Sequence, residues 1–316
     1  MLSSHPTLRA WFFAQPILLL CLTALFWAGN TIAGRLAIDQ VSPLAVVFLR
    51  WVAVSGIMVA LYGRQVRAEW PILKRHLPVM VLMGMFGYTA FNALFYIAAH
   101  KTTALNLGII QGSMPMFVLL GALVILRTPI RAVQACGVVL TMTGVAFIAS
   151  QGDLSRLAGL EINPGDALMI LACLLYSLYA VLLRKRPAVS GMVFFTVLSV
   201  IAAIVSVPVF AVELLQGTEQ WPTPKGWLVV AYISIFPSFL SQIFFMRGVE
   251  LIGPGRAGVF INLVPIFSSF LAVVLLGEPF HFYHAAALVL VLMGIALSER
   301  KGRQREAVAA PGPDHG

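Results

Sequence analysis

Apolar residues run along this chain in long blocks, broken by short clusters of charge, glycine and proline. About 20 mostly apolar residues suffice for an α-helix to cross a bilayer. Breaking the chain at those clusters gives ten blocks: 16–36, 43–62, 78–98, 104–126, 132–150, 165–183, 190–212, 227–246, 256–276 and 281–298. In lipid every backbone N–H and C=O must be satisfied within the protein, which leaves helices or closed barrels. The blocks are too long for the roughly ten-residue alternation of barrel strands. The pattern therefore predicts an all-α integral membrane protein with ten transmembrane helices.

The two halves carry the same punctuation. Gly108, Pro115, Pro129 and Gly144 recur as Gly258, Pro265, Pro279 and Gly294, all at an offset of 150. Trp27 and Arg35 fall on Tyr176 and Arg184 at 149, and Asn92 falls on Gln242 at 150. A constant offset across glycines and prolines marks an internal duplication. The organisation expected is a cytoplasmic N-terminus over 1–15, repeats over 16–150 and 165–299, an external linker over 151–164 and a disordered cytoplasmic tail over 300–316. Five helices per repeat is an odd number, so the second repeat enters the membrane from the opposite side. Inverted halves of this kind commonly build a transport path at their interface.

Composition narrows the class. Of 316 residues, 60% are hydrophobic and 10% charged, and the mean hydropathy is +0.93, outside the range of a soluble domain. A net charge of +9 would suggest nucleic acid as partner of a soluble chain. Here the basic residues sit between apolar blocks and report topology instead. With the N-terminus inside, sixteen Lys and Arg fall in inside segments and four in outside ones, with Arg50 left within a span. Both termini are therefore expected in the cytoplasm, and Arg9 with the run Ile17–Trp27 reads as an uncleaved first helix. Cys21, Cys136 and Cys173 have neither disulfide nor metal-ligand spacing and read as small buried hydrophobes. Neither a cofactor nor a metal is expected, and the partners expected are lipid and a small-molecule substrate.

The residues resemble a known family. Phe26-Trp27-Ala28-Gly29-Asn30 lies in the first span, and Ser42-Pro43 opens the second, with Arg50 inside it. Proline-centred fourth and ninth spans follow, and Leu275-Leu276-Gly277-Glu278-Pro279 precedes a last span holding Gly294. In this order they are similar to the ten-helix EamA-type branch of the drug/metabolite transporter superfamily, over about 16–300. The resemblance implies an inner-membrane carrier that exports small metabolites, often amino acids, through a central cavity lined by both repeats. One departure is visible: where the second repeat has Gly277-Glu278, the first has Arg127-Thr128. That motif therefore reads as structural rather than as part of the substrate site.

Polar residues in mid-span are costly unless partnered, so they are the informative ones. Helical spacing puts Tyr88, Asn92 and Phe95 or Tyr96 on one face of the third span. It does the same for Ser234, Ser238, Ser241 or Gln242, and Phe245 in the eighth. Asn92 and Gln242 are thus expected to face one cavity from opposite sides. Trp27 and Asn30 of the first span are expected against Tyr176 and Tyr179 of the sixth. Such an aromatic and amide wall suits a zwitterionic or aromatic metabolite, although the rings also suit helix packing or an interfacial belt. Gln111 and Asn262 lie near Pro115 and Pro265, which are candidate hinges with a static kink as the alternative. Arg50 can snorkel outward, pair with Asp39 or a carbonyl, or meet a substrate carboxylate. The first two readings rank above the third.

Asp166, Glu213, Glu250 and Glu278 stand near span ends, and His100, His281 and His284 at span edges where solvation is expected. Without a mid-span carboxylate for proton coupling, facilitated export down a gradient is a live reading beside proton-coupled transport. An intramembrane protease would need paired aspartates, a Ser/His dyad or a His-Glu-x-x-His motif, and the sequence has none of these, so the protein is not expected to be an enzyme. Within transport, the alternative is efflux of drugs or toxic compounds. One chain already holds both halves, which points to a functional monomer. Asn92→Ala and Gln242→Ala are each expected to cut transport in proteoliposomes while leaving membrane insertion intact, and normal transport by both would remove the shared-cavity assignment.

Overall fold

The computed structural model describes residues 8–153 and 162–299. The tail expected over 300–316 and most of the linker expected over 151–164 lie outside the described residues. Proline opens many of the helices, because its fixed φ suits the first turn, where its missing N–H has no intrahelical acceptor. A short α1 (Leu8–Phe13) precedes α2 (Pro16–Leu36) and α3 (Pro43–Gly84). A π turn (Met85–Ala90) leads into α4 (Phe91–Ala99), followed by α5 (Ala104–Gly112), α6 (Met114–Leu126) and α7 (Ala132–Ala149). The second half holds α8 (Pro164–Leu182), α9 (Gly191–Gln216) and α10 (Pro224–Ile233). A second π turn (Ser234–Leu240) then leads into α11 (Ser241–Ile252). After α12 (Pro254–Gly258), a 3-10 turn (Val259–Leu263) leads into α13 (Val264–Leu276), and α14 (Phe282–Glu299) ends the described chain.

Seven helices among the described residues are long and apolar enough to cross a membrane, or eight if the bent pair α5 and α6 is one span. The difference from the ten blocks has two sources. The apolar part of α14, Phe282–Ser298, is shorter than the others. In addition, α3, the π turn and α4 form one helical run of 57 residues where two spans and a loop were expected. Residues 63–77 stay helical because Val66, Leu73, Leu77 and Met80 recur on one face and pack on the core, while Arg64, Arg67, Lys74 and Arg75 are exposed. The run nevertheless doubles back, since Arg50 donates a hydrogen bond to Asn92, 42 positions along, at 2.6 Å. A straight helix at 1.5 Å per residue would hold them about 63 Å apart.

Equivalent helices of the two halves meet antiparallel. Gly137 of α7 lies against Gly294 and Ser298 of α14, and Gly144 lies against Ala287 and Val291. The same reversal relates α5 to α13, where Gly108 meets Ser268 and Gly112 meets Pro265. Small residues sit at these crossings because helices in lipid associate through close contact rather than through a hydrophobic force between them. On the outside, Leu215, Leu228 and Phe282 expose 87%, 72% and 86% of their surface, as side chains facing lipid do. Of the three cysteines only Cys173 is buried; Cys21 on α2 is half-buried and Cys136 on α7 exposed, so the expectation of three buried thiols holds for Cys173 alone.

A Cβ added at Gly137 would lie 2.1 Å from Ser298 Oγ and 2.5 Å from the Gly294 carbonyl oxygen, and the carbonyl cannot move aside. Gly137→Val is therefore expected to cost about 1–3 kcal/mol through overpacking, read as a lowered thermal midpoint in detergent. Gly56→Val, at a site where an added Cβ would meet nothing within 4 Å, is the matched control. Equal midpoints for the two variants would refute the close crossing.

Candidate transport site

A buried polar network is built on α2, α3 and α4, toward the end of the bundle where α2 and α4 finish and α3 begins. Arg50 Nη1 donates to Asn92 Oδ1 at 2.6 Å and to the Tyr96 hydroxyl at 2.8 Å. The Tyr96 hydroxyl in turn donates to Asn30 Oδ1 at 2.8 Å, and Asn92 Nδ2 donates to the Tyr88 carbonyl. Arg50 is only 7% exposed. It neither snorkels nor pairs with Asp39, whose carbonyl accepts from Gln220 Nε2 in the turn after α2. Helical spacing explains the outcome, because Tyr88, Asn92 and Tyr96 form one stripe and α3 folds back to lay Arg50 on it.

Beside the network runs a row of rings. Trp51 meets Tyr88 at 4.9 Å between centroids, Tyr88 meets Tyr179 at 5.6 Å, Tyr179 meets Tyr176 at 5.2 Å, and Tyr176 meets Phe91 at 5.4 Å. Thus Tyr176 and Tyr179 of the second half pack on the third span, not on Trp27 and Asn30 as expected. Trp27 instead crosses to the eighth span, donating from Nε1 to the Pro237 carbonyl at 3.2 Å and lying 5.5 Å from the Phe245 ring. The exchange is symmetric: Trp27 and Tyr176 are repeat equivalents, and each packs on the opposite half.

The two π turns are the feature that sequence reasoning missed. Met85–Ala90 and Ser234–Leu240 fall at the same place in the two repeats, and Tyr88 and Ser238 lie on them at an offset of 150. Asn92 and Gln242 follow one helical turn later. Ser238 Oγ donates to the Ile233 carbonyl, five residues back, at 2.5 Å. Wide turns of this kind recur at functional sites. The only trace in the sequence is Gly87 matched by Pro237. Gly87 is required for the site's shape, because a Cβ there would lie 2.3 Å from Tyr179 Cγ.

Other expected site residues are placed but not joined. Gln242 is half-buried on α11, which packs on α2, whereas α4 with Asn92 packs on α8. Gln111 is half-buried with its Oε1 buried and unpartnered, and Asn262 is half-buried in the 3-10 turn. Pro115 and Pro265 were expected to kink continuous helices. Pro115 instead opens α6 after a bend, and Pro265 stands at the start of α13, where the continuous run Arg256–Leu276 passes from a 3-10 turn to α-helix. The 42° bend lies between α5 and α6, just ahead of Pro115, where a missing N–H costs no helical bond.

One end of the bundle is tied by carboxylates of the second half that cap helices of the first. Glu213 accepts from Ser42 Oγ and from the backbone N–H groups of Leu44 and Ala45 at 3.0 and 3.3 Å, the start of α3. Glu278 accepts from Ala104 and Leu105 N–H at 2.8 and 2.9 Å, the start of α5, and lies 3.8 Å from Arg35. Asp166 accepts from Thr102 Oγ1 at 2.5 Å and from Asn106 Nδ2. Glu213 and Glu278 satisfy orphan N–H groups and meet the positive end of the helix dipole, whereas Asp166 ties side chains. A recess of about 260 Å³ at this end is bordered by Arg35, Lys101 and Asn106. Another of about 260 Å³, lined by Pro16, Ile17, Ile252, Arg256, Val259 and Phe260, opens at the opposite end. His284, expected to be solvated, is 3% exposed, and its Nδ1 accepts from the His281 N–H at 2.9 Å.

The family model of the EamA-like transporter family matches residues 14–150 and again 163–300. An uncharacterized transporter of Archaeoglobus fulgidus is 27% identical over 295 residues, covering 91% of this chain and 98% of that protein. The uncharacterized transporter YyaM of Bacillus subtilis is 25% identical over 224 residues, 71% of this chain and 73% of its own length. The uncharacterized inner membrane transporter YedA of Escherichia coli K12 is 20% identical over 278 residues, 86% of this chain and 87% of its own. A solved crystal structure superposes with a TM-score of 0.62 at 18% identity, covering 92% of this chain and 98% of that one, which bears on the fold alone.

Removing the Glu213 carboxylate leaves Ser42 Oγ and two backbone N–H groups without their acceptor. Glu213→Ala is expected to cost about 1–3 kcal/mol, seen as a lower thermal midpoint in detergent, with faster amide exchange at Leu44 and Ala45. Unchanged exchange at those two amides would show that the cap contributes nothing.

Proposed function

The chain belongs to the EamA-like transporter family, and from that premise we propose that it exports small metabolites, amino acids first among them, across the inner membrane by alternating access. The observation that carries this reading is the buried polar and aromatic site to which both repeats contribute. Asn30, Arg50, Asn92 and Tyr96 supply buried polar groups from the first half, while Tyr176 and Tyr179 close the aromatic row from the second. A polar cluster inside a membrane bundle is retained for cargo rather than for stability, and rings beside it give a cargo apolar contact.

The transport unit proposed is ten spans in two inverted repeats, 16–150 and 165–299, with both termini cytoplasmic and one chain sufficient. The reversal within the 57-residue helical run supports counting it as two spans. The antiparallel meeting of α7 with α14 and of α5 with α13 supports the inversion. The bend before Pro115 and the 3-10 turn before Pro265 then serve as the hinges, and the recess at Pro16 and Phe260 as the cytoplasmic mouth. Carboxylate caps hold the opposite end shut. The repeat equivalent of Glu278 is Thr128, so the proposed cytoplasmic end has no matching cap.

Purified protein in proteoliposomes, offered labelled aromatic and aliphatic amino acids, a cationic dye and a sugar phosphate with and without a pH gradient, tests the reading. Amino-acid uptake indifferent to the gradient is expected. Gradient-driven uptake of the dye alone would overturn it in favour of a multidrug antiporter.

A further inference from the structure

We infer that Arg50 and Trp51 form a carboxylate subsite, so that the cargo of this carrier bears an anionic head. The inference rests on the transport reading above and names the chemistry its site selects. Arg50 is buried in the bundle, and among the described residues no carboxylate pairs with it. Its two partners, Asn92 and Tyr96, are neutral, so they orient the guanidinium without cancelling its charge. An uncompensated cation within a membrane protein is strongly unfavourable, and one that persists marks a site for a counter-charge.

The geometry says how that counter-charge binds. Both hydrogen bonds to the guanidinium use Nη1. Nε, on the other edge with Nη2, is buried and has no partner. That edge presents two parallel N–H groups, the fork that matches the two oxygens of a carboxylate. The indole of the next residue repeats the deficit, since Trp51 Nε1 is also buried without an acceptor. The guanidinium carbon lies 5.0 Å from the centre of the Trp51 ring, so the two residues form one surface. Adjacent buried donors lacking acceptors are rare in folded proteins, because each forfeits its hydration for nothing. A bound carboxylate supplies acceptors to both. The ring row that starts at Trp51 and continues through Tyr88 to Tyr179 lies where the rest of such a cargo would rest.

The first arm of the test needs no transport. Thermal midpoints of the detergent-purified protein are measured with sodium benzoate, benzamide or sodium chloride at equal concentration, for wild type, Arg50→Lys and Arg50→Gln. Stabilisation of wild type by benzoate only, weakened in Arg50→Lys and absent in Arg50→Gln, is the expected result. Equal stabilisation by chloride would reduce the subsite to an inorganic anion site and overturn the inference. So would benzamide acting as well as benzoate, or no response to any of the three.

The second arm compares uptake of phenylalanine with that of phenylalaninamide, which keeps the ring and amine but lacks the carboxylate. Wild type is expected to favour phenylalanine by about tenfold or more, and Arg50→Gln to lose that preference while retaining phenylalaninamide uptake. Parallel loss of both substrates would assign Arg50 a structural role. A benzoate response with no amino-acid uptake would leave the subsite standing and instead refute amino acids as the cargo.

Discussion

Lipid offers no hydrogen bonds, and that constraint orders the whole structure. Each polar group this chain carries into the membrane must find its partner in the protein. The result is a sorting of polar groups by position. Carboxylates gather at helix ends, where they cap the N–H groups that a helix cannot satisfy itself. Hydroxyls in mid-helix turn back onto carbonyls of their own helix, as Thr196 does to Met192 and Ser269 to Pro265. Buried polar atoms left without a partner are scattered through the described residues, and Arg50 Nε and Trp51 Nε1 are the two that fall on adjacent residues.

Duplication supplies the scaffold and broken symmetry supplies a direction. Glycine crossings repeat faithfully, since Gly144 and Gly294 each approach a carbonyl of the opposite half, as backbone packing demands. The π turns repeat as well, at Met85–Ala90 and Ser234–Leu240. The capping carboxylates do not repeat. Glu213, Glu278 and Asp166 all belong to the second half, and all tie down first-half elements at one end. Two halves of similar backbone therefore differ in how their ends are tied, with the carboxylate ties gathered at one of them.

The exchange of Trp27 and Tyr176 between halves has the same logic. Residues at equivalent positions cannot in general pack on each other unless they lie near the symmetry axis. Trp27 and Tyr176 lie away from it, so each reaches across to the span of the other repeat that carries a π turn. Gly137, Gly144 and Gly294 lie close to the axis, and there the equivalent helices meet directly.

The chain by itself determined the apolar blocks, the duplication and the identity of the polar residues that lipid would make expensive. It did so because hydropathy and the positions of glycine and proline are local properties with a fixed period. The stripe of Tyr88, Asn92 and Tyr96 was legible for that reason, and so was the structural role of Glu278, from the loss of its repeat partner. Only tertiary structure decided that residues 63–77 stay helical, that Arg50 turns inward to Asn92 rather than out to water, and which rings face one another. Those outcomes depend on contacts between residues tens of positions apart, and there a long flexible arginine has several partners of similar energy. The fold-back of α3 selects one of them by placing a row of neutral acceptors within reach.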